Sequence, residues 1–183
     1  MRYRSWLIVP GDSERKLGKA LATGADVEVV DLDATVPVAA KQTARAQAAA
    51  WLKTHRQQVL EQSPMARWVR INALDSRQWR EDLVAVLPGA PEGIILPRAV
   101  GPEAVRELAA ELYELEQNNH LPAGSIKILP QAGETAKSAL TIASYAEASM
   151  PRLAGLGWSA GGLEAALGAT RSREPKGSWA EPF

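Results

Sequence analysis

Six short apolar runs, each closed by a turn and followed by a helical segment, constrain this chain more than any other feature. They are Ser5 to Val9 (SWLIV), Val27 to Asp33 (VEVVDLD), Trp68 to Asn72 (WVRIN), Gly93 to Leu96 (GIIL), Ile126 to Thr135 (IKILPQAGET) and Leu153 to Gly157. Runs this short and this apolar read as strands buried on both faces. Between them, Asp12 or Ser13 caps a helix ending near Gly24, an Ala-rich helix runs from Pro37 to about Gln58, and another covers roughly Ser76 to Leu87. The fourth helix starts at Gly101-Pro102, and its Val105, Leu108, Ala109, Leu112 and Leu115 form one stripe, the pattern of a helix lying on a sheet. A fifth helix runs through about Ala146 and a short sixth from Gly162 to Leu167. Such alternation predicts a parallel α/β sheet, either doubly wound or closed as a TIM-type (β/α)8 barrel. A complete barrel typically takes ~250 residues. The 183 residues here hold about six βα units, so the barrel alternative predicts an incomplete ring over residues 1–168, with a polar tail over 169–183.

Composition removes several function classes. Lys plus Arg and Asp plus Glu both number 21, which argues against a broad nucleic-acid surface. The absence of cysteine excludes disulfides, thiolate metal sites and cysteine nucleophiles together. No apolar run approaches the ~20 residues that span a bilayer. The N-terminus lacks both a signal-length apolar stretch and a small-residue cleavage site, so a cytoplasmic location is the expectation.

The polar residues that stand out fall at predicted strand ends, where α/β proteins keep their chemistry. Glu134 follows the fifth strand, where a carboxylate either caps the next helix or belongs to a site. On the second strand the period of two puts Val27, Val29, Asp31 and Asp33 on one face, and on the third it puts Arg70 beside Asn72. Asp31, Asp33 and Glu134 suit a hard cation such as Mg2+, or are hydrogen-bonded structural acids. Pro10-Gly11-Asp12-Ser13, backed by Arg15, Lys16 and Lys19, either holds an anion at a helix start or is a solvated turn. Gly155 to Ala160 fits G-x-G-x-x-A but has no second βαβ unit after it. His55 and His120 lie away from the strand ends and read as surface residues.

Taken in order, RSWLIVPGDSERKLGKAL, VVDLDATV, VRINA, GIILPRA, ILPQAGETA and GGLEAALGA resemble the HpcH/HpaI aldolase and citrate lyase family, closest to its citrate lyase beta-subunit and CitE-like branch. The resemblance implies a (β/α)8 barrel that uses Mg2+ to cleave carboxylated 3-hydroxyacyl thioesters into a keto acid and an acyl thioester. It implies that Arg70 grips the substrate carboxylate, a contact that a planar guanidinium suits, and that Glu134 contacts substrate and holds the metal. It places Pro10, Gly11 and Asp12, with Lys16 beyond them, in a loop near the thioester-bearing cofactor, whether CoA or a carrier protein. Asp31, Asp33 and Asn72 are supporting candidates, and the general base is not identified.

The chain departs from the family pattern in three places. The acidic motif is Asp31-Leu32-Asp33-Ala34, with one acid shortened and one missing. Gly162 stands where the family has its second metal-binding aspartate, which implies weak Mg2+ binding. The sequence ends at Phe183, before the family's last strands, and open sheet edges of that kind imply self-association or a homo-oligomer. The expectation is therefore a lyase acting on a small carboxylic-acid thioester. The alternative is a catalytically degenerate, truncated paralogue that binds a ligand or partner.

Overall fold

The computed structural model describes residues 3–62 and 65–180; the side chains of residues 55–62, His55 among them, and residues 181–183 lie outside the described residues. Six strands form a single sheet: β1 (Trp6–Pro10), β2 (Val27–Asp31), β3 (Ala66–Arg70), β4 (Gly93–Leu96), β5 (Lys127–Gly133) and β6 (Gly157–Trp158). Every neighbouring pair is parallel and the order is sequential, β1-β2-β3-β4-β5-β6. A doubly wound sheet reverses its strand order partway, whereas a barrel adds each strand beside the last. The architecture is therefore a half-barrel.

The helices are α1 (Glu14–Ala20), α2 (Lys41–Gln62), α3 (Trp79–Val86), α4 (Gly101–Asn118), α5 (Ala136–Leu140) and α6 (Ala160–Leu167). Helices α1 to α4 pack on one face of the sheet. Val30, Val69, Ile94, Leu96 and Ile128 point from the strands into a core shared with Leu17, Ala44, Leu83, Leu108 and Leu112 of the helices. The other, concave face carries the alternate strand positions Val27, Val29, Ala66, Trp68 and Ile95. The α4 stripe behaves as its spacing dictates, with Val105, Leu108 and Leu112 buried and Ala109 and Leu115 half-buried against the core.

Two features needed tertiary information. The sixth strand is not Leu153 to Gly157 but the two residues of β6, and Leu153 touches β5 only through an isolated bridge to Ile128. Pro151 and the glycines at 155 and 157 leave little ladder to form. This stretch is held instead by a buried ion pair, in which Arg152 Nη1 and Nη2 donate to Glu116 at 2.6 and 2.7 Å. Burial works against that carboxylate, but Arg152 and the N–H groups of Ile126 and Gly124 hold it below its ordinary pKa. On β2, Glu28 faces the helices, fully buried, and neither carboxylate oxygen has a hydrogen-bond partner among the described residues. Desolvation pushes it up to about 8. Among the described residues no helix is long and apolar enough to cross a membrane.

Candidate functional site

Because all six strands run the same way, their C-terminal ends meet at one rim, and the loops leaving that rim carry the charged residues. Asp31 ends β2 and is fully buried. Its Oδ1 accepts from Asp33 N–H (2.8 Å) and Arg70 Nε (2.9 Å), and its Oδ2 from Thr35 N–H (2.9 Å) and the Thr35 hydroxyl (2.6 Å). With both oxygens filled, Asp31 acts by fixing the β2 turn and the Arg70 guanidinium. Arg70 ends β3, and its side chain is only 9% exposed. Its Nη2 lies 3.9 Å from Asp33 Oδ2, and neither Nη makes a hydrogen bond among the described residues.

Asn72 points elsewhere. Its backbone N–H and Nδ2 donate to Asp82 Oδ2 (2.8 and 2.7 Å), and Nδ2 also reaches the Leu32 carbonyl at 3.1 Å. It pegs the β3 loop to α3 and to the β2 loop rather than standing beside the Arg70 fork. Arg45 Nε completes this tie by donating to Asp82 Oδ1 at 2.7 Å.

Two residues not singled out from the sequence belong to the rim. Lys41, buried at the start of α2, donates through Nζ to the Leu32 and Asp33 carbonyls at 2.6 and 2.7 Å. Desolvation lowers its pKa, against the opposing pull of Asp33, Asp82 and Asp31. Arg98 follows β4 with φ of 52°, in the left-handed region that few non-glycine residues adopt. Its N–H donates to Glu134 Oε2 at 2.7 Å, and its Nη1 and Nη2 reach Asp33 Oδ2 and Oδ1 at 3.2 and 3.4 Å. The sequence signal for Arg98 was its place directly after a strand. Lys41 offered only a lone cation at the start of an Ala-rich helix.

Glu134 does not cap its helix. Thr135 does, accepting from Ser138 N–H while the Ser138 hydroxyl accepts from Thr135 N–H. The Glu134 carboxylate is thereby left to the rim. Gly162 sits in the first turn of α6, outside the left-handed region, and a Cβ there would lie 2.9 Å from Glu134 Cγ and 2.9 Å from Ser159 Oγ. Positions 134 and 162 are therefore adjacent, though the whole β5–β6 connection and β6 itself separate them in sequence. The Ser159 hydroxyl accepts from Gly162 N–H and caps α6, so the glycine-rich approach to that helix is accounted for by capping.

At β1, Gly11 N–H donates to the Asp31 carbonyl at 2.8 Å, and a Cβ there would meet that oxygen and Leu32 Cδ2 at 2.9 Å. Close approach of the two strand ends is what requires glycine here. Pro10 and Lys16 line a shallow depression of about 240 Å³ along the outer edge of β1, with Lys19 beside them. Asp12 is half-buried at the turn. His120 is an exposed turn residue after α4, away from the rim.

Chemically, the rim offers a guanidinium oriented by a buried acid, a second guanidinium converging on the same carboxylate oxygen, and one carboxylate at the mouth. Guanidinium groups so placed are chemically suited to a carboxylate. As a metal site it is sparse, for among the described residues no three acidic or histidine side chains gather where they could hold an ion. Glu134 Oε1 takes no hydrogen bond among the described residues, and Mg2+ is content with one or two carboxylates if water and substrate fill its octahedron. Glu134 fits that role, and the adjacent Gly162 adds no ligand.

The HpcH/HpaI aldolase/citrate lyase family matches residues 4–177. A citrate lyase subunit beta-like protein of Mycobacterium tuberculosis is 33% identical over 174 residues, covering 95% of this chain and 54% of that protein. A (3S)-malyl-CoA thioesterase of Cereibacter sphaeroides is 34% identical over 113 residues, covering 60% of this chain and 38% of that protein. The crystal structure of CitE from M. tuberculosis with magnesium and acetoacetate superposes with a TM-score of 0.74 at 29% identity, covering 98% of this chain and 64% of that one. The chain thus spans about half the length of the curated relatives it matches.

Proposed function

From the premise that the chain belongs to the HpcH/HpaI aldolase/citrate lyase family, we propose that its rim cleaves a carboxylated 3-hydroxyacyl thioester, carried by CoA or a carrier protein, into a keto acid and an acyl thioester. The observation that carries this is the Arg70 guanidinium, buried at a strand end, fixed through Nε by Asp31 and with neither Nη hydrogen-bonded among the described residues. In the cleavage, the substrate hydroxyl loses its proton and becomes the keto acid's carbonyl. The carbon–carbon bond breaks, and its electron pair passes to the α-carbon of the thioester, which then takes up a proton. Arg70 binds the carboxylate of the half that becomes the keto acid and fixes its orientation. Asp31 holds that fork in place, and Glu134 lies at the mouth to hold Mg2+. When bound, Mg2+ supplies charge stabilisation for the oxygen that becomes a carbonyl. The sheet edges expose Trp6, Ile8 and Trp158, which favours self-association of the protein.

Gly162 favours a second function, in which the rim binds a carboxylate ligand without turnover. Incubation with (3S)-malyl-CoA and Mg2+ separates the two. Glyoxylate release that depends on Mg2+ and is lost in Arg70→Lys supports the lyase. Malate as the product would indicate thioester hydrolysis instead. Saturable pyruvate binding without any product supports the binding protein, and neither product nor binding contradicts both.

A further inference from the structure

Arg98 is held in an unfavourable backbone conformation at the centre of the rim, and its side chain is used loosely. Its fork to Asp33 spans 3.2 and 3.4 Å, whereas charge-assisted N–H···O bonds usually close to about 2.7–2.9 Å. The Arg152–Glu116 pair in the same molecule does close, at 2.6 and 2.7 Å. Asp33 Oδ2 also lies 3.9 Å from Arg70 Nη2. Two guanidinia therefore converge on one carboxylate oxygen and neither binds it tightly. Arg70 is nine-tenths buried with both Nη groups unbonded among the described residues, while Arg98 remains 37% exposed. The left-handed backbone at Arg98 directs its N–H to Glu134 and its guanidinium to Asp33 together. Strain of this kind persists where the surrounding structure requires it, and it collects at ligand sites.

We propose that Arg70 and Arg98 form a two-guanidinium carboxylate clamp, that the Asp33 carboxylate occupies it from within, and that an external carboxylate binds by displacing Asp33. Arg98 then contacts the substrate directly, and Asp33 sets the affinity by competing for the same donors. This rests on Arg70 being the carboxylate anchor. Because Asp33 touches the clamp only through its side chain, while its N–H and carbonyl are held by Asp31 and Lys41, its charge can be removed without releasing the β2 loop.

A merely structural Arg98–Asp33 pair makes the opposite prediction for Asp33. If the pair only braces the rim, removing the Asp33 charge loosens the site and weakens binding. If the pair is a clamp with an internal competitor, the same change tightens it.

The test is calorimetric titration of malonate and of pyruvate, in metal-free buffer, into wild type, Asp33→Asn, Arg98→Gln, the double variant and Arg70→Lys, with melting curves confirming that each is folded. Asp33→Asn should tighten malonate binding roughly two- to fivefold, the scale of a partly exposed charge contact, with the gain shrinking at high salt. Arg98→Gln should weaken it by a similar factor and abolish the gain in the double variant. Asp33→Ser, a second way of removing the charge, must show the same sign. Unchanged or weaker binding in the folded Asp33 variants, a gain that survives Arg98→Gln, or no malonate binding in any variant overturns the clamp. Pyruvate separates this outcome from failure of the underlying assignment. If Arg70→Lys leaves pyruvate binding unchanged, the carboxylate anchor itself is misassigned. If it weakens pyruvate while the Asp33 and Arg98 variants do nothing, only the clamp falls.

Discussion

The two halves of the strand-end rim are built to different densities. From β1 to β4 the charges interlock: Arg45 holds Asp82, Asp82 holds Asn72, Lys41 holds the carbonyls of Leu32 and Asp33, and Asp31 holds Arg70. From β5 to β6 there is one carboxylate, Glu134, next to a glycine and a capping serine. The first half is preorganised, because its donors are fixed by buried acids that also tie the surrounding loops together. The second half holds its acid by one N–H among the described residues, and any metal there depends on water and substrate for most of its ligands. Preorganisation and charge content are thus separate properties, and this rim has both in only one of its halves.

The largest expected effect probes that asymmetry directly. Arg70→Ala leaves the fully buried Asp31 without its cation, and breaking a buried pair in this way costs about 3–5 kcal/mol. Glu134→Gln, which keeps an oxygen for the Arg98 N–H, should change stability by no more than ~0.5 kcal/mol. Urea unfolding measures both, and equal costs would erase the distinction between the halves.

Glu28 sharpens the comparison from outside the rim, as an acid on the same strand as Asp31 with no donor among the described residues. Its folded pKa of about 8 stands above an ordinary value of 4.5. The protonated form is therefore favoured in the folded protein. Its contribution is fully present below about pH 4.5 and is lost as pH rises through about 8. At pH 7 the loss amounts to roughly 3 kcal/mol. Glu28→Gln should remove that penalty, raising stability at pH 7 to 8 while changing little at pH 4.5. Melting temperatures of the two proteins across that range check the sign, and a variant no more stable at pH 8 than at pH 4.5 relative to wild type would show that Glu28 is not titrating as a buried acid.

The smallest effect concerns the sparse half. Gly162→Asp meets two side-chain atoms at 2.9 Å, Glu134 Cγ and the α6-capping Ser159 Oγ, and the backbone carbonyl of Glu134 at 3.3 Å. Crowding of this kind costs about 1 kcal/mol. In return it sets a second carboxylate beside Glu134, and Mg2+ titration should show tighter binding than in wild type, with Glu134→Gln weaker than both. A folded aspartate variant with unchanged Mg2+ affinity would remove the metal from this corner of the rim.

Much of the fold was legible in the sequence because strand and helix periods are local. The α4 stripe is buried as its spacing requires, and Val27, Val29 and Asp31 share the concave face with Arg70, as alternation on β2 and β3 dictates. The sixth strand was misplaced because its position is set by Arg152 reaching back to Glu116, a contact with no local signature. Within the site, the strand-end positions of Arg70 and Glu134 could be read directly. The partners of Glu134 could not, since they depend on a left-handed arginine and on a helix that returns from beyond β6. Asn72 shared a strand face with Arg70 in the pattern, but the buried carboxylate of Asp82 claims it.

The most direct test of the rim as a carboxylate site is a crystal structure of the protein soaked with pyruvate. The account predicts a carboxylate oxygen within about 3 Å of an Arg70 Nη, with the ligand lying between Arg98 and Glu134. Pyruvate ordered elsewhere, such as the cavity of about 440 Å³ beside Trp6 and Trp68 at the opposite end of the strands, or none bound at the rim at saturating concentration, would contradict it.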